Sequence, residues 1–385
     1  VTDLDGLNLW LISEGRLLGD ATRIVKRYCE SLVQLGVPLE RARIAQSYSN
    51  PLLSAWGTIW TPEQTKQYTV EARVMTTQAW KGSPFEHVVT TRSPVRKKLI
   101  GANLESEHAL YSELAATGAT DFLAMPLEYG DGSVQGTSFT TNAEAGFSER
   151  DIHNISSTRH ALAAALEPIA MRESQKSLLQ TYLGAGPAQE IGQGHIKRGE
   201  HRTVSAAILF ADLRNFTSKS DTWPEARLLD MMGDYFEMVV APIQNSGGDV
   251  LKFMGDGILA IFDGDAGQVC VSAVAAARQS LANLRGYNAQ TDRDPIEFVI
   301  GIDFGQVTFG NIGSPDRLDF TVVGGSVNIA SRVQGLCKEL GEELLYTGEV
   351  ARYLQNESVS AGFHVLRGLP RQVEVFKTAS LPGMK

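Results

Sequence analysis

Cysteine is scarce. The chain of 385 residues has three, Cys29, Cys270 and Cys337, too far apart to form a C-x-x-C pair or a zinc motif. They give no framework for a disulfide-stapled fold and read as buried or incidental thiols in a reducing compartment. No apolar run approaches the roughly 20 residues that a membrane-spanning helix needs. The first residues show no signal-peptide pattern, so a soluble, cytoplasmic protein is expected. Dense blocks of Lys and Arg are also missing. Net charge is −9, from 35 basic and 44 acidic side chains, which argues against nucleic acid or an anionic membrane as the main partner. A phosphate-bearing small molecule stays open, because a few cationic contacts need not show in the total. The rest is ordinary for a globular protein: 43% hydrophobic, 21% charged, and long enough for two domains with their own cores.

One stretch, Ala206 to Phe262, organises the remainder. The apolar run Ala206-Ala207-Ile208-Leu209-Phe210-Ala211 ends at Asp212, so it reads as a buried strand delivering a carboxylate to its end. Downstream, Asp249 to Met254 and Ile258 to Phe262 flank Gly255-Asp256-Gly257, a hairpin whose glycines suit the positive φ of a tight turn. If the hairpin pairs beside the first strand, Asp212 and Asp256 converge. Two carboxylates at strand ends suit a pair of Mg²⁺ ions, with coordination positions left for phosphates.

Taken in order, residues from about Leu7 to Leu35 carry helical spacing. Strands are expected at Ala42–Ala45, Ala55–Trp60 and Tyr68–Val74, with breaks at Pro51 and Pro62, and a helix from Glu107 to Thr117. Phe122–Leu127, a turn at Tyr129–Ser133 and Gln135–Thr141 read as a hairpin, and Ser148 as the N-cap of a helix running to Leu166 or beyond. This order, with its x-x-Pro-Leu, glycine turn and Gly146-Phe147-Ser148-x-x-Asp151, resembles a GAF domain, a small-molecule sensor fold. The resemblance leaves two roles open, an effector site or a dimerising scaffold. The four histidines of this half lack the partners of a metal set and read as surface or interface residues. A polar helical stretch, Ile169 to Tyr182, then breaks at Gly184-Ala185-Gly186-Pro187 and passes through a Gly-rich run. It reads as a connector carrying a conformational signal, or as a passive linker.

In the second half, helices are expected across Pro224–Val240, Ala266–Leu284 and Ser326–Leu340. Strands are expected at Ile296–Ile302, at Gln306–Gly310 returning after Gly305, and at Asp319–Gly324. The β-α-β-β-α-β order fits a ferredoxin-like core. Three blocks then stand out: Phe210-Ala211-Asp212-Leu213-Arg214-Asn215-Phe216-Thr217; Lys252-Phe253-Met254-Gly255-Asp256; and Phe320 to Arg332 with Val327-Asn328-Ile329-Ala330-Ser331-Arg332. In this order and spacing they resemble the class III nucleotidyl cyclase catalytic domain, over about Val204 to Lys377. The expected organisation is α+β: a GAF-like regulatory domain over 1–168, a helical and Gly-rich linker over 169–200, and a ferredoxin-like class III cyclase domain over 201–385.

The resemblance implies an adenylate cyclase that makes 3′,5′-cyclic AMP and pyrophosphate from ATP. Asp212 and Asp256 would bind two Mg²⁺ or Mn²⁺ ions, and Ile208, Leu209 and Phe210 would cradle phosphates through their backbone N–H groups. Asn328 would orient the ribose, Arg332 would neutralise charge on the α-phosphoryl group, and Arg367 would contact the triphosphate where Lys is usual. Lys252 and Thr321 would read adenine; a guanine reader typically has Glu at the position of Lys252. Because the Asp pair and the Asn/Arg pair act from opposite subunits in this family, a head-to-tail homodimer is implied.

Asn215 stands where Gly is usual, Gly325 where Asp or Asn is common, and Gln372 where Pro is frequent. Singly, each site residue has a plain reading: Asp256 a turn former, Asp212 a helix cap, Asn328 and Arg332 a solvated helix face. Lys252 inside an apolar strand is harder to read that way, since an unpaired buried Lys is costly. The alternatives are a guanylate cyclase, which Lys252 disfavours; a diguanylate cyclase or polymerase palm, whose pattern lacks the Asn328–Arg332 helix; and a non-catalytic nucleotide-sensing or dimerisation module.

Overall fold

The computed structural model describes residues 3–47, 53–290, 294–354 and 357–379. The chain divides into two units, 1–178 and 179–385, each with its own sheet. The first opens with helices α1 (Leu4–Ile12) and α2 (Ala21–Gln34), followed by strands β1 (Arg41–Ser47), β2 (Leu53–Trp60) and β3 (Thr65–Glu71). Next come α3 (Pro84–Thr91), β4 (Val95–Lys98), α4 (Ala109–Ala116), β5 (Asp121–Glu128), β6 (Val134–Thr141) and the long α5 (Glu149–Leu183). The strands form one antiparallel sheet in the order β3-β2-β1-β6-β5-β4. Leu123, Met125 and Leu127 of β5 pack with α1, α2 and α5 residues such as Leu11, Tyr28 and Leu162, whereas Phe122 and Ala124 pack with Val88, Tyr111 and Leu114. Helices thus cover both faces, which is why β5 reads as a continuous apolar run rather than an alternating one.

Two expectations for this unit change. The helical stretch from Leu7 to Leu35 is two helices, separated by a 3₁₀ turn over Gly15–Leu18, where Gly19 takes φ 64° before Asp20 caps α2. The third strand stops at Glu71, and Ala72–Thr76 form another 3₁₀ turn. Pro51, the expected break between strands, lies outside the described residues. Ser148 caps α5 as expected: its Oγ accepts from Asp151 N–H, and Asp151 Oδ2 accepts from Ser148 N–H. The polar stretch Ile169–Tyr182 is a continuation of α5, with Pro168 inside it.

The second unit begins at Leu179, at the end of α5, and the glycine-rich run that follows is not plain coil. Gly184 (φ 92°) ends the preceding helix, and Ala185–Gly192 form α6. Asp249 accepts from the N–H groups of Ala185 (3.1 Å) and Gly186 (2.7 Å), so α6 starts against the hairpin strand. Then follow β7 (His201–Leu213), α7 (Phe216–Thr222), α8 (Glu225–Asn245), β8 (Asp249–Met254), β9 (Gly257–Asp263) and α9 (Ala266–Asn288). The unit ends with β10 (Phe298–Gly313), β11 (Leu318–Val323), α10 (Gly325–Leu340), β12 (Leu344–Thr347), α11 (Gly348–Ala351), β13 (Ser358–Val365) and β14 (Gln372–Thr378).

The sheet order is β13-β14-β12-β10-β7-β9-β8, with β11 on β10. Its centre, β10-β7-β9-β8, is the 4-1-3-2 arrangement of a ferredoxin-like core. Ala207, Leu209 and Ala211 of β7 face α8 and α9 through Tyr235, Val239, Ala273 and Ala277, while Ala206 and Ile208 face the opposite side with Phe309, Phe320 and Ala330. The strands expected at Ile296–Ile302 and Gln306–Gly310 are one strand, β10, paired to β7 from Phe298 to Gly310. Gly305 is therefore no turn: a Cβ there would strike Ser326 Oγ, so the glycine admits the start of α10 to the sheet.

Candidate active site

Strand β7 carries Asp212 to the edge of its two-sided pairing, where Ala211 pairs with Ile258 on one side and Asp212 with Val299 on the other. The β8–β9 hairpin turns through Gly255 and Asp256, and Gly255 supplies the positive φ (65°) required at the first turn position. This brings the two carboxylates together. Asp212 Oδ1 lies 3.8 Å from where a Cβ on Gly257 would stand. The carboxyl of Asp256 is pushed up to about 6 by burial, then by the neighbouring Asp212 carboxylate. Above the pair, Tyr235 is fully buried with an unpartnered hydroxyl, and its acidity is suppressed by burial and then by both carboxylates. The chain thus concentrates anionic oxygens in a place short of cation.

Two side chains of α10 answer part of that charge. Lys338 Nζ forms an ion pair with Asp212 Oδ2, and Gln334 Nε2 donates to the same oxygen at 3.3 Å. No third His, Cys, Asp or Glu joins the carboxylates among the described residues. A pair of hard, partly exposed oxygen donors with open positions fits Mg²⁺ or Mn²⁺ and leaves room for phosphate oxygens.

Lys252 projects from β8 just after a bulge between Val250 and Lys252. Its ammonium is not unpaired: it meets the carboxylate of Asp319 on β11. Thr321 follows Asp319 by two residues, hence on the same strand face, and both are less buried than Phe320 and Val322 between and beyond them. On α10, Asn328 is exposed and Arg332 half-buried, with Arg332 Nη2 at 3.4 Å from the position a Cβ on Gly368 would take, next to Arg367. Among the described residues, no hydrogen bond or ion pair joins Asn328, Arg332 or Arg367 to the carboxylates.

The expected phosphate cradle is corrected. Leu209 and Phe210, like Ile208, lie where β7 is paired to β9 and β10 at once, so their N–H groups are spent in the sheet; the Leu209 side chain is fully buried. Backbone free of this double pairing begins only after Ala211. There Asn215 adopts the left-handed conformation (φ 60°, ψ 21°) at the start of α7. That accounts for the usual Gly at this position, since Asn is among the few side chains that tolerate it. Reading the sequence missed Lys338, Gln334 and Asp319. Gln334 and Lys338 did carry a signal, an i, i+4 polar pair, but nothing local says which strand end the pair faces.

Residues 199–374 match the Adenylate and Guanylate cyclase catalytic domain family. An adenylate cyclase of Anabaena cylindrica is 33% identical over 167 residues, which cover 42% of this chain and 33% of that protein. The terminal-differentiation-specific adenylate cyclase of Dictyostelium discoideum is 32% identical over 158 residues, 40% of this chain and 7% of that protein. The match therefore spans a third of the first relative's length and far less of the second's. Among solved structures, a bacterial light-regulated adenylyl cyclase aligns at 25% identity over 55% of this chain and 64% of that one, with a TM-score of 0.48.

Proposed function

Because the second unit carries a class III adenylate/guanylate cyclase catalytic domain, we propose that the chain converts ATP to 3′,5′-cyclic AMP and pyrophosphate. The observation that carries the reading is the meeting of Asp212 and Asp256 at the end of the hairpin that also bears Lys252. The two carboxylates hold the divalent ions, two per site, Mg²⁺ or Mn²⁺; when bound, these supply Lewis-acid activation of the ribose 3′-hydroxyl and neutralise the phosphates. Lys252 donates to adenine N1, kept in line by Asp319, and the Thr321 hydroxyl accepts from the 6-amino group. Asn328 orients the ribose. Arg332 and Arg367 bring guanidinium charge to the α-phosphoryl group and the triphosphate as the 3′-oxygen attacks in line and pyrophosphate departs.

In this reading Asn328 and Arg332 act on the nucleotide held at the carboxylates of a second protomer. A head-to-tail homodimer then contains two equivalent sites, each completed by α10 of the partner. What supports it is that neither residue contacts the Asp pair of its own chain among the described residues. The first unit is the regulator, a GAF-like domain that takes a small-molecule effector or serves as a dimerising scaffold. Its six antiparallel strands with helices on both faces support that assignment.

The test is turnover by the full chain with ATP or GTP and Mg²⁺ or Mn²⁺, following cyclic nucleotide and pyrophosphate. Cyclic AMP that disappears in Asp256→Ala is the expected result. Cyclic GMP as the main product would replace the adenine reading, and no cyclic product from either nucleotide would leave a nucleotide-binding or dimerisation module.

A further inference from the structure

Gly301 on β10 sets the height of α10 above the sheet. A Cβ there would come within 2.6 Å of Gln334 Cα and 2.7 Å of Ala330 O, so the helix backbone lies directly on the strand. Val333, Leu336 and Cys337 fix its rotation by packing against Val299 and Leu345. With depth and rotation both fixed, Gln334 and Lys338, one turn apart, converge on a single oxygen, Asp212 Oδ2. The backbone thus fixes where the stem of Lys338 starts, one turn from Gln334 and within reach of Asp212 Oδ2. The pair is only partly exposed, with 40% of the Lys338 side chain and 25% of that of Asp212 accessible.

Two adjoining carboxylates repel, and a cation between them relieves the repulsion. We propose that Lys338 is the resident counter-ion of the metal carboxylates: it holds Asp212 until a divalent ion displaces it, and so sets the metal concentration at which the site fills. This rests on the assignment of Asp212 and Asp256 as metal ligands. The ion that binds Asp212 takes the oxygen the ammonium now occupies. Lys338 then has to withdraw along its flexible stem, and its attraction to Asp212 is subtracted from the affinity for metal. In exchange, the metal-free site is kept from flying apart by its own charge. An anionic nucleotide offers the displaced ammonium a new partner, so metal and nucleotide fill the site more readily together than either does alone.

The experiment is direct Mn²⁺ binding to the full chain without nucleotide at low ionic strength, read from the electron paramagnetic resonance signal of free Mn²⁺, with thermal unfolding in parallel. Lys338→Gln is expected to bind Mn²⁺ at least about tenfold more tightly than wild type, since a unit charge a few ångströms from a divalent ion opposes it by about that factor even at the dielectric of water. Lys338→Arg should bind as wild type does. The metal-free melting temperature of Lys338→Gln should fall, and saturating Mn²⁺ should restore it. Lys338→Thr carries the same expectation if the Gln variant does not accumulate. Unchanged or weaker Mn²⁺ binding in both neutral variants, while Asp256→Asn abolishes binding, would overturn the role of Lys338 and leave the metal site standing. Mn²⁺ binding that survives Asp256→Asn intact would overturn both.

Discussion

Lys252 on β8 and Asp319 on β11 form an ion pair across the face that also presents Thr321. The pair explains how a lysine persists in a strand whose neighbours Val250 and Leu251 are buried: its charge has a partner. It also aims the ammonium. A carboxylate that holds Lys252 from one side leaves its remaining N–H bonds to point toward whatever Thr321 faces.

Lys252→Ala is therefore expected to lower kcat/KM for ATP by about 10- to 100-fold, the range of one lost hydrogen bond to a charged donor. Asp319→Asn should act in the same direction but less, mostly through KM, because the amide still accepts from Lys252 without fixing its charge. Steady-state kinetics with ATP and GTP read both. An Asp319→Asn enzyme with wild-type KM would show the ion pair to be a surface contact without consequence.

Asp256→Asn separates function from stability. Under the proposed metal role of Asp256, this change should cut turnover by about a thousandfold or more. In metal-free protein at pH 8 the same change should raise the melting temperature, because it deletes a carboxylate held beside Asp212 against its preference. A stability–activity trade of this sign is expected where like charges are assembled for metal. A fall in melting temperature together with lost turnover would point instead to a structural role for the turn.

The junction before β7 is built on close approaches. At Gly186 a Cβ would stand 2.5 Å from Asp249 Oδ2, and at Gly184, with φ 92°, it would stand 2.6 Å from Val250 O. Gly184→Ala and Gly186→Ala should each cost about 1–3 kcal/mol, through strain at the first and overpacking at both. Asp249→Ala should match Gly186→Ala, since it removes the acceptor of both N–H groups. Only three positions separate Asp249 from Lys252, so the same variants are expected to raise KM for ATP. Denaturant midpoints and kinetics check the two halves independently.

Much of this was legible in the chain, and what was not has a common cause. The β7 run ending at Asp212, the Gly-Asp-Gly hairpin and the Ser148–Asp151 cap are local patterns, each written within a few residues. Gly305 misled because glycine marks both turns and close approaches, and only the position of Ser326 decides between them. Gly19 and Gly15 were hidden inside a helical period that continues on either side. Leu209 and Phe210 were expected to bind phosphate, and their N–H groups are instead consumed by pairing on both edges, which one strand alone cannot reveal. Lys338 and Asp319 lie more than 60 positions from the residues they hold, beyond any periodicity.

Asp303 supplies the pH prediction. It sits in the middle of β10 at 2% exposure, accepting from Thr347 Oγ1 at 2.5 Å, and burial, only partly offset by hydrogen bonds from Thr347 and Ser326, pushes its carboxyl up to about 6. In the unfolded chain it titrates near 3.8. Between those values the folded state holds the extra proton, so stability falls as pH rises through about 4 to 6 and stays lower above it. The penalty is about 3 kcal/mol at most. Asp303→Asn keeps an acceptor for Thr347 and carries no charge to desolvate. Its melting temperature should therefore match wild type near pH 3 and rise above it by pH 7.5, with the difference opening across the window. A difference that is constant with pH would mean that the carboxyl titrates alike in both states, and that Thr347 and Ser326 fully compensate for burial.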